Sequence, residues 1–487
     1  MKQLKDILYK VSIESVVGNP VIEINALRFN SKSVEVNDVF IAINGSVVDG
    51  HKYVESAIES GAKVIVCEVL PSKINEKIVY VQVKDTSVAL AIMAANYFEN
   101  PSSKLRLVGV TGTNGKTTIA TLLYQLFKNA GYKVGLLSTV KVMIDNVEFP
   151  ATHTTPDSIT INYYLDEMNA AGCDFCFMEV SSHGIDQNRT LGLSFEGGIF
   201  TNLSHDHLDY HDTFAEYRDV KKRFFDQLPK TAFVLTNADD KNGMVMLQNT
   251  AAKKQTYALK SIADYQAKIL ENQLSGLLLK INNQEVWTKL IGNFNAYNVL
   301  AIYATAELLG LESQEILRQL SVLESVSGRF QYIVSNTGIT AIIDYAHTPD
   351  ALKNVLETIN SIRTKNEELI TVVGCGGDRD KTKRPKMGHI ASDLSTKVVF
   401  TSDNPRTEEP QDIIDDIEKG VDAQNFKKTL SISDRKQAIK SACQMANAGD
   451  IILIAGKGHE TYQDVKGVRS DFDDLKIVTE LLNQLDK

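Results

Sequence analysis

Leu105-Arg106-Leu107-Val108-Gly109-Val110 forms a nearly unbroken apolar run that leads into Gly112-Thr113-Asn114-Gly115-Lys116-Thr117-Thr118. From Thr117 onward, apolar residues recur as Ile119, Leu122, Leu123 and Leu126. A buried strand, a glycine-bearing loop and an amphipathic helix in that order constrain the chain to a parallel βαβ plan, with the loop at the carboxyl edge of the sheet. The glycines let the backbone curl so that several N–H groups converge on one phosphate, and the helix N-terminus adds partial positive charge. Lys116 then reaches the terminal phosphates, and the Thr117 hydroxyl is placed for Mg²⁺. ATP is therefore the expected ligand of Gly112, Thr113, Asn114, Gly115, Lys116, Thr117 and Thr118. The general phosphate-loop pattern has a glycine five positions before Gly115, where this chain has Val110, so the loop is a shortened variant. A plain glycine-rich turn between strand and helix is the competing reading.

The same rhythm of strand then small residue returns later, with Ile370–Val373 before Gly374, Val398–Thr401 before Ser402, and Ile451–Ile454 before Gly456. Earlier, a short helical pattern at Val54–Ile58 precedes the apolar run Lys63–Cys67. Asn100-Pro101-Ser102-Ser103 reads as a linker, and a third segment opens near Gly328-Arg329. The expected fold class is α/β in three domains: an N-terminal α/β domain (1–100), a central phosphate-loop ATPase-like parallel sheet (101–327) and a C-terminal Rossmann-like domain (328–487). A chain of 487 residues has room for about three domains.

Composition removes several function classes. The net charge of −9 offers no overall basic footprint for nucleic acid. No run approaches the roughly 18 apolar residues of a membrane span, and Asp6 and Glu14 interrupt the N-terminus, which lacks the apolar core of a signal peptide. Five cysteines do not make a disulfide framework. Cys173 and Cys176 have the spacing of a redox or zinc pair, but no second pair accompanies them, and buried structural thiols are expected. A reduced, cytoplasmic, enzyme-sized protein follows.

Three further segments carry chemistry. The strand Phe175–Val180 places Glu179 at its carboxyl end, on the sheet edge of the phosphate loop, where a carboxylate suits Mg²⁺. Asn202–His211 holds three of the nine histidines, either as a polar surface loop or as ligands. In the helix Phe214–Leu228, residues Tyr217, Lys221, Phe224, Phe225 and Leu228 share one face, whereas Lys222 points elsewhere. Lys221 thus faces the core, as a snorkelling side chain or as an amine with a lowered pKa. Gly292–Asn298 reads as a capped helix start with Asn295 as N-cap.

The loop Thr111–Thr118 resembles that of the Mur ligase family, whose members join an amino acid or peptide to a carboxylate using ATP. The resemblance continues through all three segments in order. It implies a metal site of Thr117, Glu179, His207 and Lys221, with Lys221 carrying CO₂ as N6-carboxylysine, and catalytic roles for Lys116, Lys221, Glu179 and His207. It implies that Asn295 and Asn298 lie near the adenine, that Arg329 reaches the ATP phosphates, and that Asp344 lies near the ribose in a nucleotide-contacting loop with His347. Two domains would then supply one ATP site and close around it. In the first domain Asn30-Ser31-Lys32 stands where the family usually has Asp-Ser-Arg, and Ser31 would contact a uridine. Thr154, Thr155, Ser181, Gln187 and Arg189 match residues that hold a UDP-muramyl dipeptide.

In the third domain, Asp403-Asn404-Pro405-Arg406 and Gly456-Lys457-Gly458-His459-Glu460 resemble the members that add meso-2,6-diaminopimelate. There Arg379 and Arg406 would bind the distal carboxylate, a planar fork matched to a planar acid. Glu460 would accept from the distal ammonium, with Asp403, Asn404 and Gly456 around it. The implied reaction joins diaminopimelate to the D-Glu γ-carboxylate through an acyl phosphate, with ATP and Mg²⁺, in a monomer. An L-lysine-adding relative, a folylpolyglutamate synthetase and, from another class, a nucleotide-driven switch are the rival readings.

Overall fold

The computed structural model describes residues 1–45, 48–204, 210–211, 213–485 and 487. Three large sheets follow one another along the chain. The first has five strands in the order Ile13–Val17, Val79–Val83, Val64–Cys67, Val39–Ile41, Leu27–Arg28, parallel except for the first. Ser31 lies just beyond the last of these, in a 3-10 turn capped by the Asn30 side chain, which accepts from Lys32 N.

The second sheet has eleven strands. Its parallel centre runs Val134–Leu137, Phe175–Glu179, Arg106–Thr111, Phe195–Phe200, Phe233–Asn237, Lys253–Ala258. Alternation within the strands sends Val108, Val110, Phe175 and Phe177 to one apolar layer and Leu107, Cys176 and Met178 to the other. The helices Lys116–Asn129 and Asn293–Leu308 fill the first layer, and Ser158–Ala170 and Phe214–Asp226 the second. From Arg106–Thr111 the chain moves outward on one side and later returns to lay Phe195–Phe200 on the other. The phosphate loop thus leaves the sheet where its winding reverses, which is where such sheets bind ligands.

The third sheet has the order Gln331–Val334, Thr340–Asp344, Ile451–Ala455, Leu369–Val373, Lys397–Phe400, Thr429–Ser431, parallel except for the first strand. Helices Pro349–Ile362, Lys383–Leu394 and Pro410–Glu418 cover one face, and Arg435–Met445 and Asp474–Gln484 cover the other.

Asn100–Ser103 lies between the first and second sheets and is packed: Pro101–Ser103 forms a 3-10 turn with Pro101 and Ser102 buried. Asn169 Nδ2 donates to Pro101 O, and Ser194 N donates to Ser102 Oγ. Proline and serine mark a turn, but they do not say whether the turn is packed. One sequence expectation needs correction: Asn295 is not an N-cap. The helix starts at Asn293 after Gly292, and Asn295 turns its amide back to Ile291 O at 2.8 Å. All five cysteines are buried free thiols, and burial raises those of Cys173 and Cys176, in keeping with the structural reading.

Candidate active site

The phosphate loop bridges the end of its strand and a helix whose N-cap is Gly115 at φ +89°. A Cβ at Gly115 would come within 2.8 Å of Asn298 Oδ1, so the loop and the start of the Asn293–Leu308 helix are in direct contact. Asn298 is fixed in turn by donating to Asn295 Oδ1 at 2.9 Å. The next strand holds the loop from the other side. Thr113 N donates to Asn202 O, Asn114 N donates to Asn202 Oδ1, and Thr201 Oγ1 donates to Asn114 O. Thr118 is buried in the first turn of the helix.

Lys116 and Lys221 meet at one carbonyl. Lys116 Nζ donates to Gly112 O at 2.9 Å and to Thr113 O at 2.8 Å, and Lys221 Nζ donates to Gly112 O at 3.0 Å. Lys221 is 1% exposed, so the expected core-facing position is correct. Its ammonium stands 4.8 Å from the centre of the Tyr217 ring, and the Tyr217 hydroxyl lies 3.1 Å from Thr113 Oγ1. Lys222 leans along the helix to Asp226 at 2.7 Å.

Glu179 is fully buried, and its Oε2 accepts from Thr117 Oγ1 at 2.9 Å while Oε1 accepts from Thr139 N at 2.7 Å. A buried carboxylate beside a hydroxyl is a hard-oxygen pair suited to Mg²⁺. His207 lies outside the described residues. Among the described residues there is no group of three or more His, Cys, Asp or Glu able to hold a metal.

The residues matched to the peptide substrate form one network with Glu179. Thr155 Oγ1 donates to Glu179 O and accepts from Ser181 N, while Ser181 Oγ accepts from Gly184 N. Thr139 Oγ1 donates to Thr154 Oγ1. Arg189 NH1 donates to Thr155 O, and its Nε and NH2 both reach Gln187 Oε1, whose amide donates to Tyr210 OH. Ser31 belongs to no part of this network and sits in the 3-10 turn that follows Leu27–Arg28 of the first sheet.

The third domain reaches the loop through Arg329, whose NH2 donates to Thr117 Oγ1 at 3.1 Å. The guanidinium lies 4.4 Å from the centre of the Tyr345 ring, which also packs against His347 and His459. Asp344 is buried, and its two oxygens accept from Phe330 N and Ala346 N, so it braces the turn that carries Arg329. Burial raises its carboxyl, opposed by the Arg329 charge. Burial and the Arg329 charge push His459 down from 6.5 to about 4. Folded protein therefore keeps this imidazole neutral while an unfolded chain protonates it, and stability falls as the pH drops from 6.5 towards 4. Replacing His459 by Gln should flatten the melting temperature over that interval relative to the parent; superimposable curves would refute the assignment.

The two C-terminal motifs meet. Asn404 Nδ2 donates to Glu460 Oε2 at 2.7 Å, and the fully buried Lys457 donates to Asn404 Oδ1 at 3.0 Å and to Glu460 Oε2 at 3.3 Å. Burial and Asp403 raise the Glu460 carboxyl, while Lys457 and Asn404 pull it down. Arg406 NH1 donates to Gly377 O at 2.6 Å, joining the turn to the loop that carries the exposed Arg379. The Arg406 backbone is left-handed at φ +52° and is held by Arg406 N donating to Asp464 O and by Lys466 N donating to Arg406 O. Sequence reading left Asn202, Tyr217 and Lys457 without roles. Only Lys457, inside a recognised motif, carried a usable signal.

Relatives with the same organisation cover the whole chain. Three family descriptions match in order: "Mur ligase family, catalytic domain" at residues 23–98, "Mur ligase middle domain" at 110–306 and "Mur ligase, glutamate ligase domain" at 328–458. The UDP-N-acetylmuramoyl-L-alanyl-D-glutamate–2,6-diaminopimelate ligase of Cytophaga hutchinsonii is 54% identical over 100% of both chains. The chain belongs to the Mur ligase family. The like-named ligase of Bacteroides fragilis is 53% identical over 99% of each chain. A solved structure of a ligase of that name superposes with a TM-score of 0.70 at 32% identity, covering 100% of this chain and 99% of that one. A folylpolyglutamate synthase of Mycobacterium tuberculosis shares the fold at a TM-score of 0.62 and 17% identity, over 77% of this chain and 92% of its own. That last match leaves part of the Mur ligase architecture uncovered. No helix among the described residues is long and apolar enough to cross a membrane.

Proposed function

We propose that this Mur ligase uses ATP to add meso-2,6-diaminopimelate to the D-Glu γ-carboxylate of UDP-N-acetylmuramoyl-L-Ala-D-Glu, a step of peptidoglycan precursor synthesis. The junction of the Asp403–Arg406 turn with Glu460 and Lys457 carries the choice of amino acid. It sets the Glu460 carboxylate against the Asn404 amide and the Lys457 ammonium, on the turn whose next residues carry the Arg406 guanidinium, a set of charges that complements an amino acid whose far end bears both signs. Ligases 54% and 53% identical to this chain bear that activity in their names.

The γ-carboxylate oxygen attacks the γ-phosphorus, the bond to the ADP oxygen breaks, and an acyl phosphate forms. The diaminopimelate amine then attacks the acyl carbon and loses a proton, and phosphate leaves the tetrahedral intermediate. Lys116 and the loop N–H groups neutralise charge on the transferring phosphoryl group, and Arg329 brings the third domain to the same place. Thr117 and Glu179, with His207 and Lys221 as its carbamate, would hold Mg²⁺, which supplies further neutralisation of phosphate charge when bound. Thr154, Thr155, Ser181, Gln187 and Arg189 orient the peptide, Asn295, Asn298, Asp344 and His347 serve the nucleoside side, and Ser31 contacts the uridine. The divisions near residues 100 and 327, a cytoplasmic location and a monomeric state complete the reading.

One incubation tests it. With ATP, Mg²⁺, the UDP-muramyl dipeptide and either diaminopimelate or L-lysine, mass spectrometry should find the diaminopimelate tripeptide and ADP in equal amounts. A lysine product in its place would overturn the choice of amino acid, and ADP without any amide product would favour the switch.

A further inference from the structure

Arg435 and Asp474 form an ion pair in which both side chains are 0% exposed. Arg435 Nε donates to Asp474 Oδ1 at 2.9 Å and NH2 donates to Oδ2 at 2.7 Å. Stability alone gives little reason for such a pair, because an apolar replacement of similar volume often serves as well. Arg435 also opens its helix, where the dipole disfavours a cation. The remaining bonds of the guanidinium supply the reason. NH1 donates to Ser402 O at 3.3 Å and NH2 donates to Ala455 O at 3.1 Å. Ser402 immediately precedes Asp403-Asn404-Pro405-Arg406, and Ala455 immediately precedes Gly456-Lys457-Gly458-His459-Glu460.

The strands that lead into these loops, Lys397–Phe400 and Ile451–Ala455, are not neighbours, because Leu369–Val373 lies between them. No ladder hydrogen bond joins them directly, since each pairs only with the strand between them on that side, whereas one planar fork anchored on Asp474 bonds to both strand ends at once. The loops touch just above it: Gly456 sits at φ +117°, and a Cβ there would come 2.4 Å from Asp403 Oδ2.

We infer that Arg435, oriented by Asp474, is a positioning residue for amino-acid selection, fixing the spacing at which Asn404, Arg406 and Glu460 converge on the diamino diacid. This rests on the amino-acid site proposed above. Its charge also acts on Asp403 and Glu460, the two acids of those loops.

The test is steady-state kinetics on the full chain carrying Arg435→Met, Arg435→Lys or Asp474→Asn. Ile439→Ala, at a buried position on the same helix, serves as a merely loosened comparator. In each folded variant at Arg435 or Asp474 the KM for diaminopimelate should rise at least tenfold, with the KM values for ATP and the UDP-muramyl dipeptide within twofold. Ile439→Ala should leave all three within twofold. A uniform rise, an unchanged diaminopimelate KM, or the same selective rise in Ile439→Ala would overturn the inference. If Arg435→Met does not fold, Arg435→Lys and Asp474→Asn decide, and an unchanged KM in either counts against it. Failure of the parent protein to use diaminopimelate refutes the proposed substrate instead. The spacing role is then judged by the same criteria on the L-lysine KM.

Discussion

Replacing Lys116 by Ala should lower turnover by about 10²–10³-fold, the order seen when one donor aimed at transition-state charge is removed. Lys116 Nζ lies within 3 Å of the Gly112 and Thr113 carbonyls, so the side chain folds over the loop that precedes it and its charge sits where the phosphates would converge. The fold should survive, because Lys116 is only half-buried and alanine is a good first-turn helix residue. The expected signature is an unchanged far-ultraviolet spectrum, a melting temperature within a few degrees of the parent, and loss of both ADP release and amide product. A folded Lys116→Ala protein that turns over normally would remove the lysine from the chemistry. Lys221 sharpens the test, since it shares the Gly112 carbonyl. If the two amines were interchangeable, the loss would be small.

What could be read from the sequence was local. The phosphate loop, Glu179 at a strand end and the core-facing Lys221 each declare themselves within about a dozen residues, through a glycine pattern or a helical period. The two C-terminal motifs were legible by resemblance alone. Contacts that depend on sheet order were not. Asn202 is some 90 residues from the loop it holds, and it arrives there only because Phe195–Phe200 pairs with Arg106–Thr111. Arg435 carries no local signal, and its burial follows from how two helices pack on the last sheet. Asn295 shows the opposite failure. Its local signal was real but ambiguous, since an asparagine near a helix start serves as well for a side-chain bond to Ile291 O as for a cap. Asp344 was associated with the ribose by resemblance alone; the structure shows both of its oxygens occupied by backbone N–H groups.

Replacing Arg406 by Ala should raise the KM for diaminopimelate about a hundredfold and leave that for ATP nearly unchanged. Truncating one partner of a charged recognition pair costs roughly 2–5 kcal/mol, and Arg406 belongs to the amino-acid loops rather than to the phosphate loop. Two effects must be separated. Arg406 holds a left-handed backbone at φ +52°, a strain that alanine would share, so the substitution removes the Gly377 contact that helps hold this turn as well as the guanidinium. Arg406→Lys retains the charge and a comparable backbone preference but loses the planar fork. If recognition is bidentate, lysine should recover only part of the loss; full recovery would show that charge alone suffices. Arg406 N and O are also tied to Asp464 and Lys466, so a collapsed turn would disturb the hairpin Tyr462–Asp471. Turn collapse would also loosen the Asn404–Glu460 contact and depress kcat, whereas a lost carboxylate contact alone would act mainly on KM. Equal rises in the KM values for ATP and diaminopimelate would remove Arg406 from amino-acid recognition.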